Sequence, residues 1–443
     1  MGGEWSKTRL ADLCDQVDYG HTASAVETPV GPKFLRITDI VSGPIDWQRV
    51  PYCPIDRRAA ERSRLLPGDI VIARTGATTG HSAYIANPPD AVFASYLIRL
   101  RVGQRADPRF VSYFLKSPAY STYVHGVLGD KSAQPNASAK TLTEVHMAVP
   151  PIAEQRAIAC ILGALDDKIE LNRKMNQTLE GIARAIFKSW FVDFDPVRTK
   201  SEGRDPGLPA EIADLFPSSF VDSELGPIPE GWAIKTMGDF LCLDKGLSYK
   251  GEYVSASGMP MVNLGCFNGA GQSDWSALKH YVGKFKPQHC VHPGQLVLAN
   301  TDITQRRLIL GSPAIVPTIS GGGELLFTHH VYAVRFYADS EDWTLFFYFA
   351  MLGQRFRERA TGSATGTTVL ALPRDAVLRC PLVAPPIGLR DSFNAVAWSV
   401  LRRQWHGQAY CRTLASLRDT LLPKLISGEL RVPDAERIVG RCV

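Results

Sequence analysis

Two stretches of the chain alternate apolar and polar positions with the rhythm of a helix that pairs with another helix. From Ile158, the positions Ile158, Leu162, Leu165, Ile169, Asn172, Asn176, Leu179, Ala183, Ile186 and Trp190 recur at alternating spacings of four and three. A shift of 235 residues reproduces the rhythm as Phe393, Ala397, Val400, Gln404, Gly407, Cys411, Leu414, Arg418, Leu421 and Leu425. Such spacing marks a heptad seam and predicts two long helices, each roughly 50 Å at 1.5 Å per residue. Both seams turn polar or small at mid-length. Polar seam positions cost stability but fix register and partner. One arrangement is therefore an antiparallel pair in which Asn172 and Asn176 meet Gln404. In the other, the asparagines face solvent and the core face lies elsewhere.

Outside these helices the period falls to two and the chain repeats itself at an offset of about 230. "LPGDIVIARTGATTG" from Leu66 faces "HPGQLVLANTDITQ" from His292: Pro-Gly, a polar residue, a short apolar strand ending in Ala, then a polar turn. "FLRITDI" from Phe34 faces "MVNLGCF" from Met261, and Trp5 stands opposite Trp232. Each repeat ends on Pro-Pro before a helical pattern, in "VPPIAEQRAIACIL" from Val149 and "APPIGLRDSFNAVA" from Ala384. Proline suits an extended exit and a helix start. Between the halves, "DFDPVRTKSEGRDPGLP" is rich in Pro, Gly and charge without period, and reads as a linker.

The expected organisation is a globular domain over 1–150, a helix over 151–195, a linker over 196–227, a second domain over 228–384, a second helix over 385–432 and a tail over 433–443. The fold class is α+β: two globular α/β domains separated by two long helices that form an antiparallel coiled coil, with a pseudo-two-fold internal repeat.

Composition narrows the class further. At 443 residues the chain exceeds the ~250 to 300 residues at which single cores stop growing. With 45% hydrophobic and 21% charged residues it is a folded globular protein rather than a disordered one. No apolar run approaches the ~18 residues of a membrane span, and "MGGEWSKTRLADLCDQ" lacks an apolar signal core, so a cytoplasmic location without a membrane partner is expected. Nine scattered cysteines without a CxxC pair, in apolar settings such as "IACIL" and "LRCPL", predict buried free thiols of a reducing compartment. "HCVH" at His289 to His292 lacks a second ligand cluster and reads as a strand edge or turn, so no metal site is expected. A net charge of +5 permits a nucleic-acid partner without demanding one.

Catalytic signatures are missing. An adenine methyltransferase needs an aromatic ring after Asn/Asp-Pro-Pro to stack the flipped base, whereas "NPPD" at Asn87 to Asp90 ends in a carboxylate. No Gly-rich cofactor loop follows a strand, and "ARTGATTGH" lacks the Gly-Lys-Ser/Thr ending of a phosphate loop.

The run "PPIAEQRAIACILGALDDKIELNRKMNQTLEGIARAIFKSWFVDFDPVR" from Pro150 to Arg198, with "LRDTLLPKLISGEL" near the C-terminus, resembles the conserved regions of the specificity subunit of type I restriction-modification systems. The resemblance spans essentially the whole chain as recognition domain, conserved helix, recognition domain, conserved helix. It implies a non-catalytic subunit in which each domain reads one half of a split duplex DNA target. The helices would set the spacing and hold two methyltransferase subunits, to which restriction and motor subunits add. S-adenosylmethionine, ATP and Mg would belong to those partners, and no cofactor to this chain. Two rival readings are a two-headed DNA-binding regulator and a fused DNA methyltransferase. There are two departures from an even repeat. The second helix opens "PPIGLRDSF" instead of "PPIAEQR", and "GSATGTTVLALP" stands where the first domain has "SAQPNASAKTL".

Duplex reading combines Lys and Arg on phosphates with polar side chains on base edges. Candidates in the first domain are Arg36, then Arg74, Thr75, Gly76, Thr78, Thr79 and His81 in one turn, and Lys131, Ser132, Gln134 and Asn136 in another. In the second domain they are Asn263, Asn300, Thr301, Thr304, Gln305, Arg306, Arg307, Thr365 and Thr367. Arg355, Arg357 and Arg359 read as a solvated helix face able to touch phosphate. Residues 1–150 carry 17 Lys and Arg against 14 Asp and Glu, so part of the phosphate affinity is expected from partner subunits.

Overall fold

A computed structural model of the chain describes residues 5–442, apart from 42, 130–135, 270, 272, 305–306 and 320–321. The residues fall into two compact units, one from 1–173 with 409–443 and one from 174–408. Each unit therefore contains one globular domain and one half of each long helix.

In the first unit an antiparallel sheet runs in the order Cys14–Tyr19, Leu97–Val102, Ile70–Ala73, Ser82–Tyr84. The strand Ile70–Ala73 is buried along its length because both faces are covered. Alternate side chains point to opposite faces: Ile70 and Ile72 join the core against the helices, while Val71 and Ala73 join a second core with Leu35 and Phe93. A parallel pair, Lys33–Leu35 with Ala91–Phe93, carries that second core.

The second unit repeats this plan. Its sheet runs Leu241–Lys245, Val331–Phe336, Leu296–Ala299, Pro313–Ile315. Leu296 and Leu298 face one core, and Val297 and Ala299 the other. The parallel pair is Met259–Val262 with Leu325–Phe327. In both units the domain closes on its own start, with Ser6–Arg9 pairing His146–Val149 and Ala233–Thr236 pairing Pro381–Ala384. That closure delivers the chain to each Pro-Pro and the helix beyond it.

The long helices are Ile152–Phe191 and Ile387–Ser427. Their starts differ as the sequences do. Gln155 is buried; its Nε2 donates to the Pro150 carbonyl and its Oε1 accepts from the Asp107 amide, both at 2.8 Å. At the equivalent place Arg390 is also buried; it lies over the Trp343 ring at 5.2 Å and its Nε donates to Asp391 Oδ1 at 2.8 Å, a cation–aromatic contact and a charged hydrogen bond where the first helix uses an amide.

Within the first unit Ile158, Leu162, Leu165 and Ile169 are buried with Leu414 and Leu421, and the two helix halves run antiparallel. Asp166 ties them to the domain, accepting from Tyr113 Oη and from Arg418 Nη1, each at 2.7 Å. Burial and the Asp166 charge push the Tyr113 phenol far above its ordinary range, so it stays a donor. Within the second unit Val400 and Gln404 are buried, and Leu179 and Ile186 are half-buried against the core. Here the buried stripe centres on Ala183, Phe187, Trp190 and Phe191, and the rings of Phe187 and Phe191 meet Phe346 and Phe393 edge-on.

The polar centre resolves into two roles. Gln404 Nε2 donates to the Asn176 carbonyl at 3.0 Å, and Asn176 Nδ2 reaches the Gln404 carbonyl at 3.5 Å. The expected meeting with Gln404 thus holds for Asn176, while Asn172 donates to the Lys168 carbonyl of its own helix at 2.8 Å.

Two stretches that lack period in the sequence are folded. The expected linker carries a helix, Asp195–Ser201, with Val197 buried, and Lys200 Nζ donates to the carbonyls of Ala213 and Phe216. The expected tail forms the helix Val432–Cys442, which buries Ala435. Their anchors are too few and too irregularly spaced to register as a repeat.

Candidate nucleic-acid interface

In the first unit the turn after Ile70–Ala73 is held by backbone hydrogen bonds. Arg74 donates to the Tyr96 carbonyl at 3.0 Å, Gly80 to Ala73 at 2.8 Å and His81 to Thr78 at 2.9 Å. Gly76 and Gly80 have positive φ, and a Cβ on Gly80 would lie 2.9 Å from Val124, so glycine is required there. Thr79 turns its hydroxyl back to the Gly76 carbonyl at 2.8 Å. Thr75 pairs with Asn136, bringing the two predicted loops together. The Arg74 guanidinium clasps that junction through Nε to the Ala137 carbonyl at 3.1 Å and Nη2 to Asn136 Oδ1 at 2.8 Å, over the Tyr19 ring at 4.8 Å. Neutral acceptors do not cancel its charge, so the junction stays cationic. Arg36, by contrast, chelates Asp39 at 2.9 and 3.0 Å. His81 engages the Ile40 carbonyl at 3.2 Å and lines a cavity of about 610 Å³ with Tyr113 and Asp166. Lys131, Ser132 and Gln134 lie outside the described residues.

The second unit joins the corresponding loops. Thr301–Asp302 pairs with Leu370–Ala371, and Thr365 pairs with Ala371. Buried Asp302 organises the turn, accepting from the Thr304 amide at 2.6 Å, its hydroxyl at 2.7 Å and the Ile309 amide at 3.0 Å. Arg307, at φ +54°, donates to the Thr361 carbonyl at 2.9 Å. Thr304, Arg307, Thr365 and Thr367 are exposed. Gln305 and Arg306 lie outside the described residues.

Three expectations are corrected. Asn263 and Asn300 are interior, 8% and 3% exposed. The first donates to the Ala277 carbonyl at 2.7 Å and the second to the His329 carbonyl at 3.0 Å. They hold loops because each buried amide needs partners. Arg357 and Arg359 are not a solvated face: Arg357 donates to the carbonyls of Leu310, Arg307 and Leu308, and Arg359 to Ala376 at 2.7 Å. Burial lowers the Arg357 pKa. Only Arg355 of the three is exposed.

The structure also brings forward residues the sequence reading passed over. Tyr96 is 60% exposed beside the Arg74 turn, and His330 stands beside Thr301, whose hydroxyl lies 2.9 Å from its Nδ1. Burial first, then the charges of His329, Lys245 and Lys279, lower the His330 pKa, which favours the neutral imidazole. "FASYLI" aligned against "FTHHVY" carries the signal in the repeat. Among the described residues no group of three or more His, Cys, Asp or Glu is placed to hold a metal ion, and no helix is long and apolar enough to cross a membrane.

The family described as "Type I restriction modification DNA specificity domain" matches residues 4–181. The chain is 26% identical over 381 residues to the type I restriction enzyme MjaIX specificity subunit of Methanocaldococcus jannaschii, covering 84% of this chain and 77% of that one. It is 28% identical over 219 residues to the HindI specificity subunit of Haemophilus influenzae, covering 48% of this chain and 46% of that one. Its fold is similar to the type I restriction-modification S subunit of M. genitalium, with a TM-score of 0.56 at 16% identity over 95% of this chain and 96% of that one. With its two repeated domains and paired helix halves, the chain resembles type I restriction-modification specificity subunits, whose DNA specificity domain matches its residues 4–181.

Proposed function

We propose that this chain is the non-catalytic DNA reader of a type I restriction-modification complex. Each domain reads one half of a bipartite duplex target. The long helices set the spacing of the halves and dock two methyltransferase subunits, and restriction subunits complete the assembly. S-adenosylmethionine, ATP and Mg are supplied at the partners' sites. The observation that carries the reading is the pair of loop junctions, Thr75 with Asn136 and Thr301–Asp302 with Leu370–Ala371, built on the same sheet plan and bearing different polar side chains. Base contacts specify while phosphate contacts position, and Arg74, Thr75, Asn136, Thr301, Thr304, Arg307, Thr365 and Thr367 are the residues offered to DNA.

Co-expression tests it. The chain should co-purify with two copies of its methyltransferase subunit, and genome-wide mapping should find methyladenine in one bipartite motif only when the chain is present. Binding of S-adenosylmethionine by the chain alone, or motif methylation without it, would overturn the reading.

A further inference from the structure

The corner that follows the parallel-paired strand has one backbone and two sets of side chains. In the first unit the amides of Ala94, Ser95 and Leu97 donate to the carbonyls of Leu35, His21 and Ala94, each at 2.9 Å, and Arg74 donates to Tyr96 at 3.0 Å. In the second unit Thr328, His329 and Val331 donate to Val262, Leu247 and Thr328, each at 2.9 Å, and Asn300 donates to His330 at 3.0 Å. The corners match bond for bond. Ser95 thus corresponds to His329, and Tyr96 to His330.

The glycine before each corner agrees: a Cβ on Gly20 or Gly246 would strike the same two carbonyls of the corner strand. What changes is the chemistry presented. The first corner offers a hydroxyl and an exposed phenol beside the Arg74 and Tyr19 stack. The second offers two imidazoles whose rings lie 3.9 Å apart. Thr301 engages Nδ1 of His330, leaving Nε2 with no hydrogen bond among the described residues. His329 Nδ1 is buried and likewise without a partner among them. Tyr249, held by Lys279 Nζ at 3.0 Å, adds an aromatic face and a cation nearby.

Two domains that read unlike half-sites need a constant frame carrying unlike donors and acceptors. A phenol and an imidazole differ in reach and in hydrogen-bond pattern, and base edges in the major groove are distinguished by such patterns. We infer that Tyr96 and His330 are specificity-determining residues that contact base edges, one in each half-site. The inference rests on the bipartite reading proposed above.

The test uses the full chain co-expressed with its methyltransferase subunit in a host without adenine methylation. Mapping of methyladenine with the wild-type chain defines the motif. Tyr96→Ala should then relax base discrimination at one or two positions of one half, and His330→Ala in the other half, with the spacer unchanged. One such contact carries on the order of ten- to a hundred-fold discrimination. Val221→Ala, at an exposed position in the stretch between the two recognition domains, should leave the motif as it was. Wild-type discrimination at every position in both alanine variants would overturn the inference. If an alanine variant yields no methylation, Tyr96→Phe or His330→Asn replaces it and the same two outcomes are read. A wild-type chain that yields no bipartite motif removes the function proposed above, a failure distinct from an intact motif that neither variant moves.

Discussion

A methyl group added at Gly20 would stand 2.2 Å from the Ala94 carbonyl oxygen, and one added at Gly246 would stand 2.3 Å from that of Phe327. Neither glycine has positive φ; each is there because two backbones cross closely. Gly20→Ala should lower stability by about 1 to 3 kcal/mol, the usual cost of overpacking. Gly126→Ala meets nothing within 4 Å on the exposed side of the helix Pro118–Leu128 and should raise stability by about 0.5 to 1 kcal/mol. Denaturant midpoints of the two variants check both signs. Thiols offer a second test at this scale. Burial pushes the Cys14 thiol up to about 12 and the Cys266 thiol to about 11, so below those values both stay protonated and unreactive. Cys160 is exposed. At pH 8 a maleimide should label Cys160, while peptide mass spectrometry finds Cys14 and Cys266 modified only after unfolding. The glycine contacts and the exposure of Cys160 were not legible in the sequence. Asn263 and Asn300 show why, since a polar residue in a loop looks the same whether the fold later turns it outward or inward.

The long helices were legible because their signal is local. Ile158, Leu162, Leu165 and Ile169 are buried where the heptad rhythm puts them. The polar centre required the partner. A Cβ on Gly407 would lie 2.6 Å from Asn176 Oδ1, so a small seam position opposite makes room for the asparagine side chain. Gly407→Ala should therefore cost about 1 kcal/mol in the wild-type chain and nothing, or a small gain, in an Asn176→Ala background. A double-mutant cycle measures that coupling, and additive effects would refute the fit. The linker and tail were misread at this scale because short helices such as Asp195–Ser201 are held by single anchors, Val197 and Lys200 among them, with no periodic stripe.

For the whole molecule the predictions concern modularity. Exchanging residues 1–150 for another recognition domain should change one half of the methylated motif and leave the other intact, whereas a change in both halves would count against separate readers. Inserting one turn, about four residues, into the first long helix should change the spacer between half-sites. An unchanged spacer in methylation mapping would remove the helices as the ruler.

The sequence by itself determined the two long helices, the order of the domains and the internal repeat, because periodicity and self-similarity are carried by residues close in the chain. Tertiary structure alone decided which polar groups are left on the surface and which are struts. Arg74 finds Asn136 across 62 residues, and Asn300 finds the His329 carbonyl across 29. The matched corners at Tyr96 and His330 exist only once three segments have been hydrogen-bonded together. A side chain's partner depends on which distant backbone arrives beside it, and no local pattern encodes that meeting.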